Sequence, residues 1–216
     1  MADSPPSAVA LRLPSRYAQS PSTTPDALAF TTPPPEWLHR TWAVTHSTLS
    51  MWRTARNVRI SYTPLPPKPA ASSSSPADPL PRNQDLVEYE SSSGKGGVKT
   101  VSGANSASGP AYDGSWEWRG RGWLFFVTSH WEVLGWGERT LPGQSGGVER
   151  WAVTWFAATL FTKEGIDVYS DRKEGISEAL LGEIMAALKG LAAKELVVMC
   201  EKDMRPVEIK LPWKER

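Results

Sequence analysis

The chain of 216 residues has one cysteine, almost no net charge and no long apolar run. The single thiol, Cys200, excludes an internal disulfide and a zinc site built from cysteines. Lys and Arg number 24 and Asp and Glu 23, so no field of one sign exists to attract nucleic acid. The longest apolar runs, such as residues 123–127, are far too short to cross a bilayer. We therefore expect no nucleic-acid partner and no membrane span.

The N-terminus also lacks the features of a secretory signal. Residues 1–6 read Met-Ala-Asp-Ser-Pro-Pro, without a basic region or an apolar stretch behind it. Together with the single thiol, this favours a soluble, cytoplasmic protein.

Proline and tryptophan occupy different parts of the chain. Of the 19 prolines, 8 lie in residues 1–35 and 7 in residues 63–82, and neither stretch contains tryptophan or glycine. The first stretch is typical of a disordered arm and the second of a disordered loop. The 11 tryptophans lie outside both. We therefore predict a disordered arm over 1–35 and a folded domain over 36–213, with a disordered insert at 63–82.

Most of that domain is predicted to form short antiparallel strands. Residues 57–62 alternate cleanly, with Val58, Ile60 and Tyr62 on one face, which indicates a half-buried strand. β-Branched and aromatic residues predict the other strands. These are 42–49, 85–90, 98–101, 115–118, 122–136, 150–162 and 166–169. Residues 103–114 read as a loop. Eight or nine strands joined by glycine-bearing links favour a barrel or a sandwich.

One helix is expected near the C-terminus. Apolar residues recur at helical spacing from Leu180 to Leu191, and Ser177 can cap the first turn. Residues 196–199 read as a possible last strand.

The aromatic residues of the strands have two interpretations, a solid core or the wall of a ligand cavity. Indoles supply a large apolar surface and one N–H donor, which suits a lipid, a terpenoid or a polyketide. Small residues between the aromatics, such as Ala152 and Ala157, leave room and favour the cavity.

Catalytic signals are weak. The three histidines do not have the spacing of a metal site, and no Gly-x-Ser-x-Gly motif marks a serine nucleophile, so no metal and no cofactor are expected. His46 or His130 with a carboxylate such as Glu132 could transfer a proton, but a structural role is the simpler reading of each. A third possibility is a protein-interaction module that binds through its proline-rich segments.

The order of the elements resembles the lipocalin/calycin superfamily, especially lipocalin-like proteins of filamentous fungi. Trp42 stands where that family has the tryptophan of a Gly-x-Trp box, although Arg40 replaces the glycine. Residues 131–136, Trp-Glu-Val-Leu-Gly-Trp, are similar to a later family strand, and residues 166–172, Ile-Asp-Val-Tyr-Ser-Asp-Arg, are similar to the closing strand. The resemblance implies a mainly β, antiparallel lipocalin-like barrel of about eight strands with one C-terminal amphipathic helix.

By the same resemblance, Arg172 would stack on Trp42 and close one end of the barrel. The interior would bind a small hydrophobic molecule. The expected wall residues are Val44, His46, Tyr62, Trp118, Phe126, Trp131 and Trp155. A minority of the family are enzymes, so the alternative is a cofactor-free isomerase or pericyclic cyclase of secondary metabolism that uses the same cavity. The sequence leaves open which of these applies, and also the oligomeric state.

Overall fold

The computed structural model describes residues 9–18, 30–66, 80–109, 111–141 and 147–215. These residues form nine strands, two α-helices and three short 3-10 helices. The strands are β1 (Thr41–Ser47), β2 (Ala55–Leu65), β3 (Arg82–Ser91), β4 (Lys99–Ala107), β5 (Ser115–Gly120), β6 (Thr128–Thr140), β7 (Val148–Phe156), β8 (Gly165–Ser170) and β9 (Arg205–Pro206). The helices are α1 (Glu178–Lys189) and α2 (Lys194–Asp203), with 3-10 helices at Pro35–Leu38, Ser50–Thr54 and Gly122–Leu124.

Strands β1 to β8 close into an antiparallel barrel. Each strand pairs with the next, and β1 pairs with both β2 and β8. Trp42 lies opposite Ile60 of β2, and Val44 lies opposite Tyr169 of β8. The short β9 pairs with the end of β1, outside this ring. The predicted lipocalin-like barrel of about eight strands is confirmed.

Strands β6 to β8 are apolar on both faces because they separate two packed layers. One cluster of buried side chains fills the barrel and includes Trp42, Tyr62 and Trp131. A second cluster lies outside the wall, where residues such as Trp151 and Ile166 pack against α1 and α2. Continuous burial on both sides explains why these strands lack polar alternation.

The predicted C-terminal helix is confirmed as α1, but the next segment was predicted wrongly. Residues 196–199 belong to α2 and not to a strand. A four-residue apolar run fits either structure, and here Leu196 and Cys200 recur at helical spacing against the outer cluster. Ser177 precedes α1 without capping it, because its hydroxyl donates to the Glu149 carboxylate instead.

Residues 9–18 of the predicted N-terminal arm pack against the barrel. The backbone N–H of Arg12 donates to the Leu134 carbonyl at 2.8 Å. The Arg12 guanidinium lies 3.0 Å from the buried Glu132 carboxylate. The arm approaches so closely that a Cβ on Gly135 would lie 2.3 Å from Leu11. The rest of the predicted arm, apart from residues 30–35, lies outside the described residues.

Three predicted boundaries also change. Residues 63–65 and 82 extend β2 and β3, so the insert is shorter than predicted, and residues 67–79 lie outside the described part. Residues 103–107 continue β4 instead of forming a loop. Residues 122–127 form the 3-10 helix Gly122–Leu124 and a turn instead of a strand, since Gly122 takes a φ of 61° that breaks the strand.

The C-terminal segment is held along the outside of the barrel. The N–H of Val207 donates to the Thr45 carbonyl at 2.8 Å, and the Asn57 side chain hydrogen-bonds the backbone of Lys210. None of the described helices is long and apolar enough to cross a membrane.

Candidate functional site

One end of the barrel is filled by indole rings. The 3-10 helix Pro35–Leu38 places Trp37 against Trp42 and Trp136, with ring centroids 4.9 and 4.8 Å away. The indole N–H of Trp42 donates to the Leu38 carbonyl at 3.0 Å. We call this the closed end, defined by Trp37, Leu38, Trp42 and Trp136. It leaves no room for a ligand because its rings are in contact and buried.

The opposite end contains a cavity of about 140 Å³. We call it the calyx cavity. The loops that join β1 to β2 and β7 to β8 contribute to its lining. Its walls are mainly apolar and include two carboxyl groups. It is lined by Leu49, Met51, Trp52, Ile60, Tyr62, Asp85, Val87, Trp118, Ser129, Trp131, Phe156, Thr162 and Asp167.

Asp85 is the first of two carboxyl groups in the calyx cavity. It lies opposite Tyr62 in the β2–β3 register and is only 6% exposed. Its Oδ2 atom lies 3.5 Å from the Asn105 amide nitrogen, and its Oδ1 atom has no hydrogen-bond partner among the described residues. Asn105 also accepts from the Trp131 indole at 2.8 Å, which fixes the position of its amide. Burial raises the pKa of Asp85 to about 7, despite the opposing hydrogen bond from Asn105.

Asp167 is the second carboxyl group. It projects inward from β8 between Ile166 and Val168, whose side chains point to the outer cluster. The Ser47 hydroxyl donates to one of its oxygens. Burial raises the pKa of Asp167 to about 7, with Ser47 acting in the opposite direction. Near neutral pH, each carboxyl group can therefore change its protonation state.

Two buried tyrosines, Tyr62 and Tyr169, each interact electrostatically with both carboxyl groups. Burial raises the pKa of both Tyr62 and Tyr169 well above 10, and nearby Asp85 and Asp167 raise it further. The tyrosines therefore stay neutral, so the ionisable charge in the cavity belongs to the two carboxyls.

Trp118 is placed in the wall by a glycine on the neighbouring strand. A Cβ on Gly103 would lie 2.1 Å from the Trp118 Nε1 atom. The indole can lie flat across β4 only because Gly103 has no side chain.

The structure places four of the seven predicted wall residues inside the barrel. Tyr62, Trp118 and Trp131 line the calyx cavity itself. Val44 is fully buried in the interior cluster but does not line the cavity.

The other three predicted wall residues lie elsewhere. Trp155 points to the outer cluster, where its indole donates to Glu164 at 2.6 Å. Phe126 follows the Gly122 turn and is 55% exposed. His46 lies after an irregularity in β1, opposite Pro206, and does not line the cavity. Strands with two apolar faces, an unrecognised turn and an irregular register therefore account for these errors.

The predicted proton-transfer candidates His130 and Glu132 do meet, but on the outer face of β6. His130 lies 2.6 Å from Glu117 and 3.1 Å from Glu132, and the hydrogen bond to Glu132 raises its pKa. Glu132 also accepts hydrogen bonds from Ser15 in the N-terminal arm. This cluster attaches the arm to the wall. Burial lowers the pKa of His46, which has no carboxylate partner among the contacts described.

The predicted contact between Arg172 and Trp42 is replaced by another. Arg172 pairs with Glu149 at 3.6 Å. The guanidinium that lies over the Trp42 ring, 5.4 Å from its centroid, belongs to Arg40. Arg40 therefore covers the closed end from the residue where the family has a glycine.

Sequence reasoning missed Asp85 and Asp167. A signal was present, because Asp167 shares its strand face with Tyr169 and alternates with Ile166 and Val168.

Other surface depressions are larger but have different chemistry. One of about 580 Å³ lies beneath the C-terminal segment, between charged residues such as Arg59 and Lys173. It lies outside the barrel and is mostly open to solvent. In the described part of the chain, no group of three or more His, Cys, Asp or Glu could hold a metal ion.

Comparisons with known proteins find similar solved structures but no matching family model. No family model matches the chain, and no curated protein matches it. The solved structures that it resembles include the siderocalin Ex-FABP, at 10% identity and a TM-score of 0.45 over 81% of this chain and 95% of that one. Apocrustacyanin C1 aligns at 10% identity and a TM-score of 0.47, over 80% of this chain and 78% of that one. Lobster apocrustacyanin A1 aligns at 10% and 0.45, over 82% and 79%.

Proposed function

We propose that this protein binds a small hydrophobic molecule in the calyx cavity. The observation that carries the proposal is the contrast between the filled closed end and an apolar-walled cavity of about 140 Å³ at the other end. Burying roughly 150 Å² of apolar ligand surface there would contribute about 4 kcal/mol, at about 25 cal/mol per Å².

A cavity-filling variant tests this proposal. Val87 lines the cavity and is half-buried, so Val87→Phe should occupy the space of a ligand. We expect 2-phenylethanol to raise the thermal midpoint and to change the tryptophan fluorescence of the wild type, and to do neither in the variant. Val198→Phe is the matched control, because Val198 is 58% exposed on α2. Equal binding by wild type and Val87→Phe would overturn the assignment of the site.

The second candidate function is a cofactor-free isomerase, and the observation in its favour is the pair of carboxyls in one apolar cavity. At neutral pH, one ionised Asp could take a proton from the carbon next to a ketone while a protonated Asp supplies a proton to the carbonyl oxygen. The C–H bond breaks, an O–H bond forms on the carboxylate, and the neutral enol results. This role would belong to Asp85 and Asp167, and not to His46 or His130.

Hydrogen exchange distinguishes the isomerase from the binding protein. We would incubate 1-phenylpropan-2-one with the protein in D₂O and follow the loss of its α-protons by NMR. Catalysed loss that disappears in Asp85→Asn or Asp167→Asn would support the isomerase. Exchange at the rate of buffer alone would count against it and leave binding as the function. A pericyclic cyclase would not need the two carboxyls, because the shape of the cavity alone would hold the substrate in its reactive conformation.

Two further points belong to the same proposal. A cytoplasmic location agrees with the single cysteine, Cys200, which is buried and unpaired. Membership of the lipocalin-like proteins of filamentous fungi is a further proposal, which rests on the order of the elements along the chain.

A further inference from the structure

We propose that Asp85 and Asp167 form an amine-binding subsite in the calyx cavity, so that the barrel selects small apolar molecules carrying a basic nitrogen. This inference rests on the proposed function and specifies its ligand class. It would exclude the fatty acids and other anions that an apolar cavity alone would accept.

The first support is an unpartnered carboxyl oxygen. Asp85 is 94% shielded from solvent, being 6% exposed, and it lines the cavity. Its Oδ1 atom makes no hydrogen bond to any described residue. A buried acceptor without a partner is costly, and a ligand that donates a hydrogen bond there removes that cost.

The second support is the absence of a compensating cation. The described residues lining the cavity include two carboxyls and no Lys, Arg or His. The groups facing Asp85 are Tyr62 from β2, Asn105 from β4 and the β8 pair Asp167 and Tyr169.

Asp167 has different surroundings. It accepts from Ser47 of β1, and Arg53, outside the lining, acts on it at longer range. The cavity therefore offers acceptors and negative charge, which a ligand ammonium group can neutralise through charge-assisted hydrogen bonds. A carboxylate ligand would instead add like charge.

The cavity size limits the apolar part of the ligand. A volume of about 140 Å³ is close to that of cavities that hold a single benzene ring, roughly 150 Å³. An arylalkylamine with one ring and a short chain fits this volume. Trp118, Trp131 and Phe156 would contact the ring.

Binding should depend on pH in a predictable direction. Burial raises the pKa of both carboxyls to about 7, so near pH 5.5 most of each is protonated and cannot neutralise an ammonium ion. At pH 8 they are ionised while the amine is still a cation. The affinity for an amine should therefore rise about tenfold or more between pH 5.5 and pH 8, with release of a proton on binding at intermediate pH.

Three matched probes test the charge selectivity. These are 2-phenylethylamine, 2-phenylethanol and 3-phenylpropionate, measured by tryptophan fluorescence and calorimetry on the full chain. At pH 8 we expect the amine to bind at least tenfold more tightly than the alcohol, with the carboxylate weakest. At pH 5.5 the advantage of the amine should disappear, while the alcohol changes little.

Isosteric variants locate the subsite. Asp85→Asn or Asp167→Asn should reduce amine affinity to the level of the alcohol, and a cooperative thermal transition would show that each variant is folded. Asp203→Asn is the control, because Asp203 is exposed at the end of α2. Equal binding of amine and alcohol by the wild type at pH 8 would overturn the amine subsite and leave the proposed function standing. Retention of the amine preference by both variants would also overturn it. Failure of all three probes would contradict the proposed function and this inference together.

Discussion

The two ends of the barrel interior are built from similar aromatic residues but use them differently. At the closed end, Trp37, Trp42 and Trp136 pack on one another, and Arg40 covers two of the rings. At the open end, Trp118 and Trp131 line a cavity that also holds two carboxyls. The aromatic residues therefore do not by themselves indicate a ligand site. The feature that distinguishes the open end is its pair of buried carboxyls. Burying such groups without a partner costs free energy, and a bound ligand that pairs with them would reduce that cost.

The largest expected effect tests the packing of the closed end. Trp42→Ala should reduce the free energy of unfolding by about 3–5 kcal/mol, because it leaves a cavity and removes the hydrogen bond to Leu38. Trp118→Ala at the open end should cost only about 1–2 kcal/mol, because Trp118 is half-buried and its removal leaves a smaller cavity. Urea denaturation measures both. Similar losses for the two variants would contradict the contrast between the ends.

The next effect tests the two carboxyls through stability. In the folded protein the pKa of each carboxyl is about 7, above the usual 3.8. The contribution of each group to the free energy of unfolding is therefore greatest at low pH and is lost as pH rises from about 4 to 7. The slope is about 1.4 kcal/mol per pH unit for each group. Relative to the wild type, Asp85→Asn should therefore become progressively more stable over this range. We would measure urea unfolding of both proteins at pH 4, 5, 6, 7 and 8. A stability difference independent of pH would show that Asp85 titrates normally.

A smaller effect concerns the wall of the open end. Gly103→Ala would place its Cβ against the Trp118 indole and force that ring to move, at a cost of about 1–3 kcal/mol. The movement should also weaken ligand binding in the calyx cavity. Gly182→Ala is the matched control, because a Cβ there meets nothing within 4 Å in α1 and should stabilise the helix by about 0.5–1 kcal/mol. Thermal unfolding and probe binding would be compared for the two variants, and unchanged binding in Gly103→Ala would contradict the role of Trp118.

The smallest effect distinguishes two arginines at the closed end. Arg40→Ala should cost about 1 kcal/mol, because its guanidinium covers Trp37 and Trp42 and donates to the Trp37 carbonyl. Arg172→Ala should cost less, about 0.5 kcal/mol, because its ion pair with Glu149 is long at 3.6 Å and the buried Glu149 carboxylate keeps its hydrogen bonds from Ser177. The difference in urea midpoint between the variants checks this. A larger loss from Arg172 would favour the contact implied by the family resemblance.

Sequence patterns predicted the barrel but only part of its site. Clean alternation correctly predicted Val58, Ile60 and Tyr62 on the inner face of β2. In β7 no alternation is present, because α1, α2 and the N-terminal arm cover its outer face. Whether Trp155 faced inward or outward therefore depended on elements far away in the chain. For the same reason, the packing of residues 9–18 against the barrel could not be predicted from their own composition.

The sequence by itself determined the strand-rich domain, the amphipathic α1 and the separation of proline-rich segments from the tryptophans. These follow from local preferences, since side-chain alternation, helical spacing and proline geometry act over a few residues. Only the tertiary structure decided which end of the barrel is open, that Arg40 and not Arg172 covers Trp42, and that Asp85 and Asp167 share one cavity. These depend on closure between β1 and β8, which brings together residues more than 100 positions apart. Burial then raises the pKa of both carboxyls, because the charged form of a side chain is penalised only after the fold has removed it from water.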